Sequence, residues 1–398
     1  MKVAFQGTIN YGGQGTFLIE LTRALSQNAE ELHIFPTSKS LNGESIFSFY
    51  GKTPENVKIV GPRKNIISQS IRDVLAFKNY DIVHVNYASY GLLAVVAKML
   101  YKTPFVYTIH YSPPSGSLWT RLMYWLELDL LLPFVAQKAD RVVTISSYVQ
   151  NLLKQKYNLE AEVVYHGING AVSNCDASSS RDFISAKYSI PNDYKLFLYV
   201  GRFHGYKDLE TAIKAFSIVL KESGYKIKFL VVGNGEMERS IKQEILRNNV
   251  EDHVLLLGDI ENGELAKHYA GSDVFVFPSI GEGFGLVFLE AMICGLPIIA
   301  SSEGSSPEIV GDAGLIFTAK DPNDLASKMV TLLDNQSIYS KIKENCKKRA
   351  SLFTWEEAAN NYYNIYRGTL GDIALDHGGT YSDHNDVTLR GTEKHEGV

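Results

Sequence analysis

The sequence predicts an α/β protein of two Rossmann-like, doubly wound domains that face each other across a cleft. Three observations carry that reading. Short apolar runs alternate with longer segments of helical spacing from one end of the chain to the other. The runs are apolar throughout, as strands of a parallel sheet covered on both faces must be. A polar stretch divides the runs into two series of similar size, and 398 residues exceed one ordinary core.

The first series comprises "KVAFQG" at Lys2, "ELHIFP" at Glu31, "VKIVG" at Val57, "DIVHVN" at Asp81, "PFVYTIH" at Pro104 and "RVVTIS" at Arg141. The second comprises "KLFLYVG", "KFLVVG", "HVLLLG", "VFVFPS" and "PIIAS". Between them lie helical patterns such as "DLETAIKAFSIVLKESG", where Ala212, Ala215, Phe216 and Val219 share one face. Right-handed crossovers then wind each series into a domain. The stretch 173–192, rich in Ser, Asp and Asn, suits a linker. These features give a first domain over 1–172, a second over 193–352 and a closing helix over 353–368. A polar, glycine-rich tail over 369–398 has too few large apolar residues to fold.

Composition excludes several classes. A net charge of −5 argues against general nucleic-acid affinity. Three scattered cysteines, Cys175, Cys294 and Cys346, give neither a disulfide framework nor a zinc site. The N-terminus runs straight into a strand without the apolar core of a signal peptide, so a reducing cytoplasm is the expected location. The apolar segment from Leu118 to Ala136 is broken by Arg121, Glu127, Asp129 and Pro133. It reads as a buried helix or as one lying against a membrane surface, not as a span.

Open parallel sheets bind ligands at their carboxyl edge, and three strand ends carry chemistry. After the first strand, Gly12, Gly13 and Gly15 open a helix, where a backbone can approach a phosphate or sugar. Their spacing is not G-x-G-x-x-G, and no acid ends the second strand, so a nicotinamide cofactor is not expected. After "KLFLYVG", Arg202 and Lys207 precede a helix that Asp208 could cap, a suitable clamp for a diphosphate. After "VFVFPS", Glu282 precedes the helix "LVFLEAMICG", which carries Glu290 among large apolar neighbours. Amides of Gly283, Phe284 and Gly285 should point out of that helix start toward phosphate or sugar oxygens. Carboxylates beside them suit sugar hydroxyls, which are good donors.

The E-x7-E pair Glu282/Glu290, the G-R-x-x-x-x-K run ending at Lys207 and the N-terminal glycine loop together resemble the retaining glycosyltransferases of family 4, of GT-B fold. So do "TIH" at His110, "ADRVVTIS" at Ala139, "HGIN" at His166 and "SSPEIVGDAGLIF" at Ser305, over roughly residues 1–368. The resemblance implies a nucleotide-sugar donor held by the second domain and an acceptor held by the first. It implies that Arg202 and Lys207 neutralise the donor diphosphate, Glu290 binds the ribose and Glu282 contacts the transferred sugar. It places Gly283 to Gly285 along the sugar and phosphate, His110 on a sugar hydroxyl, Gly13 and Gln14 near the diphosphate, and Gly233 near the nucleotide. The helix "TWEEAANNYYNIYRG" would cross back onto the first domain. One departure is that "HGIN" has His166 and Asn169 where the family often has Asn and Asp. That motif is read as structural.

Glycosyl transfer leaves negative charge on a departing nucleoside diphosphate. No D-x-D occurs in the chain to hold a metal, whereas Arg202, Lys207 and a helix start can supply the countercharge. The expectation is a metal-independent, cofactor-free hexosyltransferase using UDP-glucose or GDP-mannose and a saccharide or lipid-linked acceptor. A nucleotide-sugar epimerase of the same fold and a non-catalytic sugar-binding protein are the alternatives. Arg63, Lys64, Arg72 and Lys78 flank the amphipathic "NIISQSIRDVLAF", and Trp119, Tyr124 and Trp125 lie in the apolar segment. Both fit a face leaning on the inner side of a membrane, and equally helices packed within the first domain.

Overall fold

A computed structural model describes residues 1–7, 13–36, 53–61, 65–111, 113, 118–168 and 176–376. The first series of apolar runs forms β1 (Lys2–Gly7), β2 (Glu31–Pro36), β3 (Val57–Ile59), β4 (Ile82–Val85), β5 (Phe105–Ile109) and β6 (Arg141–Thr144), with a short β7 (Glu162–Val163) at the edge. The second forms β8 (Lys195–Val200), β9 (Ile227–Val232), β10 (Val254–Gly258), β11 (Val274–Phe277) and β12 (Ile298–Ser301), and an edge strand outside the predicted runs, β13 (Gly314–Phe317), completes its sheet. The sheets run β3-β2-β1-β4-β5-β6-β7 and β10-β9-β8-β11-β12-β13, every pair parallel. Helices cover both faces, so β4, β5, β11 and β12 are buried along their whole length. This is the predicted pair of doubly wound domains.

In each sheet the winding reverses once, between β1 and β4 and between β8 and β11. Side-by-side strands whose connections leave in opposite directions open a crevice at their carboxyl ends. Residues just past β8 and β11 therefore converge, and Arg202, Lys207 and Glu282 are among them.

Two boundaries differ from expectation. The segment 173–192, read as a linker, contains a helix, Ala177–Tyr188. Asp176 caps it by accepting from the Ser179 amide at 2.8 Å, so the serines that look like a linker are a helix start. Ile184 is fully buried against Gly271, and Arg181 pairs with Asp273 at 2.9 Å, which ties the helix to the second domain. The closing helix runs Trp355–Asp376, past the expected end at 368. The rest of the expected disordered tail, 377–398, lies outside the described residues, as do Gly12, Arg63, Lys64 and Asn169.

That last helix crosses back onto the first domain and packs along the helix Gly13–Leu25. A buried polar chain fixes it there. His84 on β4 meets the Tyr366 hydroxyl at 2.6 Å through Nδ1 and the Thr108 hydroxyl at 2.7 Å through Nε2. Tyr362 reaches Thr108 at 2.9 Å. Every polar group in this chain has a partner, which offsets the cost of burying it, so the chain specifies where the helix lies.

Candidate active site in the interdomain cleft

The glycine-rich turn after β11 owes its shape to two glycines. Gly285, with φ of 88°, starts the helix Leu286–Ile293, and a Cβ there would strike the Phe288 ring at 2.6 Å. Gly283 faces the first domain, and a Cβ on it would lie 2.4 Å from the Tyr111 carbonyl oxygen. Among the described residues the amides of Gly283, Phe284 and Gly285 donate to no backbone carbonyl. They remain available at a helix start, where the backbone dipole favours an anion.

Lys207 ends a short 3-10 turn, Gly205–Lys207, beyond β8. Its ammonium donates to Glu282 Oε2 and lies 4.7 Å from the Phe277 ring centroid. Ser279 donates to the same carboxylate oxygen at 3.4 Å. Lys207 is only 9% exposed, so this pair is largely desolvated and each charge depends on the other. Arg202, by contrast, is exposed and has no ion-pair partner among the described residues. Asp208 starts the following helix at φ 49° without the expected side-chain cap.

Glu290 lies one turn into the Leu286–Ile293 helix, half-buried among apolar neighbours. Its partner is Tyr269, fully buried on the helix Asn262–Gly271, whose hydroxyl donates to Oε2 at 2.8 Å. Burial raises the carboxyl pKa, and the Tyr269 hydrogen bond opposes that rise.

From the first domain, His110 stands at the end of β5, 3.3 Å from Asn86 Oδ1 and edge-on to Phe17. Burial lowers its pKa to about 3, so it acts as a neutral hydrogen-bonding ring. Gly13 and Gln14 open the first helix, with Gly13 close to Leu286 of the second domain. All of these line one cavity of about 710 Å³: Gly13, Gln14, His110, Arg202, Lys207, Glu282, Gly283, Phe284, Gly285 and Glu290. Gly233 does not. A Cβ there would fall 2.1 Å from the Gly201 carbonyl oxygen, so Gly233 packs against the strand end that carries Arg202. A second cavity, of about 790 Å³, runs beside β7 and the last helix, away from these residues.

Sequence reasoning missed the groups that hold the cleft together. Glu308 accepts the Ser147 and Tyr148 amides at 2.8 and 3.1 Å and the Tyr165 hydroxyl at 2.7 Å. A second-domain carboxylate thus sits on the N-terminus of a first-domain helix, Ser147–Tyr157. Ser146 donates to the Gly283 carbonyl at 2.6 Å alongside it. The available signal was an acid two residues after Ser306 in "SSPEIV", and nothing in it names the distant partner.

His166 also lines the cavity, between Phe17, Phe284 and Trp355. It is 3% exposed, and neither ring nitrogen finds a partner among the described residues. Burial holds it, like His84, neutral, with the pKa lowered to about 3 for His84 and well below the usual value for His166. Unfolding lets these two rings, and His110 with them, bind protons below about pH 6.5. Their contribution to stability is therefore complete above that pH and falls as pH drops toward 3. Each histidine adds a slope of about 1.4 kcal/mol per pH unit. Stability measured by urea titration should fall by about 4–6 kcal/mol between pH 7.5 and 5; equal values would mean that these rings are not held neutral.

Among the described residues no three His, Cys, Asp or Glu side chains gather as metal ligands do. Two sheets facing across a cleft lined by an unpaired arginine, a lysine–glutamate pair and open helix-start amides define the class: a glycosyltransferase of GT-B fold. Residues 11–171 match Glycosyltransferase Family 4 and residues 180–349 match Glycosyl transferases group 1, and the chain belongs to this family. It is 27% identical over 387 residues to the N-acetyl-alpha-D-glucosaminyl L-malate synthase of Bacillus anthracis, covering 94% of this chain and 98% of that one. Its fold is similar to the sucrose-phosphate synthase of Thermosynechococcus elongatus, with a TM-score of 0.74 at 22% identity over 93% and 99% of the two chains. It is also similar to Anabaena HepE in complex with UDP-glucose, with a TM-score of 0.75 at 18% identity over 92% and 100%.

Proposed function

We propose that the protein is a retaining, metal-independent hexosyltransferase that moves a hexose from a nucleotide-diphosphate sugar, of UDP-glucose or GDP-mannose type, to a saccharide or lipid-linked acceptor. One observation carries this reading. The cleft joins Arg202, Lys207, three open amides, Glu282 and Glu290 within a single cavity at the switch point of the second sheet. The UDP-glucose bound by HepE supports a uridine nucleotide among the donor candidates.

In this reading Arg202 and the helix-start amides receive the diphosphate, and Lys207 turns from Glu282 toward it. Glu282, released, accepts a hydrogen bond from a hydroxyl of the hexose, while Glu290 accepts one from a ribose hydroxyl. The acceptor oxygen forms a bond to the anomeric carbon on the same face from which the diphosphate oxygen leaves. The acceptor proton passes to a phosphate oxygen, so the enzyme need not supply a base. Negative charge accumulates on the leaving group, and fixed cations stabilise it where it develops.

A thermal-shift panel of nucleotides and nucleotide-sugars tests the donor, since a ligand bound to the native state raises its melting temperature. UDP or GDP and their sugars should raise Tm, while free glucose should not. With the donor found, turnover in excess EDTA should stay within about twofold of that without it, and the product anomer should match that of the donor. Loss of activity in EDTA, restored by a divalent ion, would overturn metal independence. Product analysis separates transfer from epimerisation, which needs no acceptor.

A further inference from the structure

Large apolar side chains are exposed unevenly over the molecule. Sixteen stand out among the described residues, and thirteen of them fall between Ile66 and Phe134 on one domain. On the helix Ile66–Phe77, the residues Ile67, Ile71 and Leu75 follow i, i+4, i+8 and form a single stripe. The helix Ala88–Tyr101 packs beside it and adds Met99 and Leu100, 73% and 63% exposed. The segment Leu132–Lys138, and the π-helical turn before it, pack on the other side of Ala88–Tyr101 and contribute Phe134 and Leu130. Trp119 and Trp125, 68% and 54% exposed, extend the row through the helix Leu118–Trp125. Adjacent helices that turn this much apolar surface outward mark an interaction face.

Charge points to what covers it. Residues 65–138 hold six Lys and Arg against four Asp and Glu, a net +2 in a chain of net −5. All four acids are engaged: Asp73 with Arg72, Asp81 with the Lys2 amide, Glu127 with the Ser89 amide and Asp129 with Lys156. Lys78, Lys102 and Lys138 are exposed and form no ion pair among the described residues. They end the three neighbouring helices Ile66–Phe77, Ala88–Tyr101 and Leu132–Lys138, on the same edge. An apolar face rimmed by unpaired lysines and carrying exposed tryptophans matches the interface of an anionic bilayer. No helix among the described residues is long and apolar enough to cross a membrane, so the contact would lie along the surface.

We propose that this face seats the protein on an anionic lipid surface. The same segment also reaches the active-site cavity. Tyr124, Glu127, Leu128 and Leu132 line the cavity, while Trp125, Leu130 and Phe134 between and after them face outward. A lipid-linked acceptor held in the bilayer would enter the cleft along this segment; that consequence rests on the transferase reading, whereas the docking face does not.

Vesicle co-sedimentation tests it without turnover. The full chain should pellet with phosphatidylcholine vesicles containing 30 mol% phosphatidylglycerol, and ten or more times less with phosphatidylcholine alone. Met99→Glu with Leu100→Glu should abolish pelleting. Lys78→Gln, Lys102→Gln and Lys138→Gln together should lower it by about tenfold or more. These exposed positions allow circular dichroism and melting to remain as in the parent chain. On binding, tryptophan fluorescence should shift to the blue in a Trp355→Phe background, where only Trp119 and Trp125 report. Absence of pelleting on anionic vesicles by the folded parent overturns the proposal. A concentration-dependent dimer that Met99→Glu with Leu100→Glu dissociates, with no lipid binding, would assign the face to a second copy instead. Nucleotide binding in the thermal-shift panel is unaffected by either outcome.

Discussion

Lys207→Ala should lower kcat by about 10²-fold or more, the scale of losing one group that stabilises charge in a transition state. The ammonium is nine-tenths buried, is held by Glu282 and lies against two aromatic rings. Low exposure strengthens its field at a departing diphosphate. Removing it also leaves Glu282 without its cation, with Ser279 as its remaining partner. Alanine therefore affects both leaving-group stabilisation and the placement of the carboxylate. Lys207→Ala with Glu282→Gln should be little worse than Lys207→Ala alone, because neighbours in one pair do not act additively. Steady-state kinetics on the folded variants decides it, and near-normal kcat for Lys207→Ala removes this residue from the mechanism.

Glu308→Ala should open the cleft and lower kcat/KM by about tenfold or more. The Glu308 carboxylate is bonded to two first-domain amides and to Tyr165. A hydrogen bond to a charged group contributes about 1.5–3 kcal/mol, and every 1.4 kcal/mol shifts an open–closed balance tenfold. Glu308→Gln should fall between the two, since one amide oxygen replaces two carboxylate oxygens. Small-angle scattering of the nucleotide-free protein should show a larger radius of gyration for Glu308→Ala than for the parent. Identical scattering together with unchanged kcat/KM would contradict the role of this contact in closure.

The fold was legible where the signal was local. β1 and β2 coincide with the apolar runs that predict them, because continuous apolar segments of about six residues are fixed by burial on both faces. β7 and β13 escaped, since Glu162–Val163 carries no pattern of its own and Gly314–Phe317 is four residues opening on a glycine. The helix Ala177–Tyr188 looks like a linker in sequence because serines suit loops and helix starts alike, and only Ile184 and its partner near Gly271 decide between them.

The candidate site divides the same way. Arg202, Lys207, Glu282 and Glu290 were found because each lies close in sequence to a strand end. Their relations were not readable. Tyr269, which meets Glu290, is on another helix, and Glu308 meets a helix of the other domain. The placement of Gly233 behind Gly201 comes from a sheet contact that spacing along the chain cannot express.

The central claim is that the second-domain switch point binds a nucleoside diphosphate with Arg202 and Lys207 on its phosphates and Glu290 on its ribose. A crystal structure of the complex with UDP tests it most directly. The account predicts the diphosphate within hydrogen-bond distance of the Arg202 guanidinium, the Lys207 ammonium and at least one amide of Gly283 to Gly285, with the ribose hydroxyls on Glu290. A nucleotide seated elsewhere, with Lys207 still paired to Glu282 and Arg202 in open solvent, would contradict it.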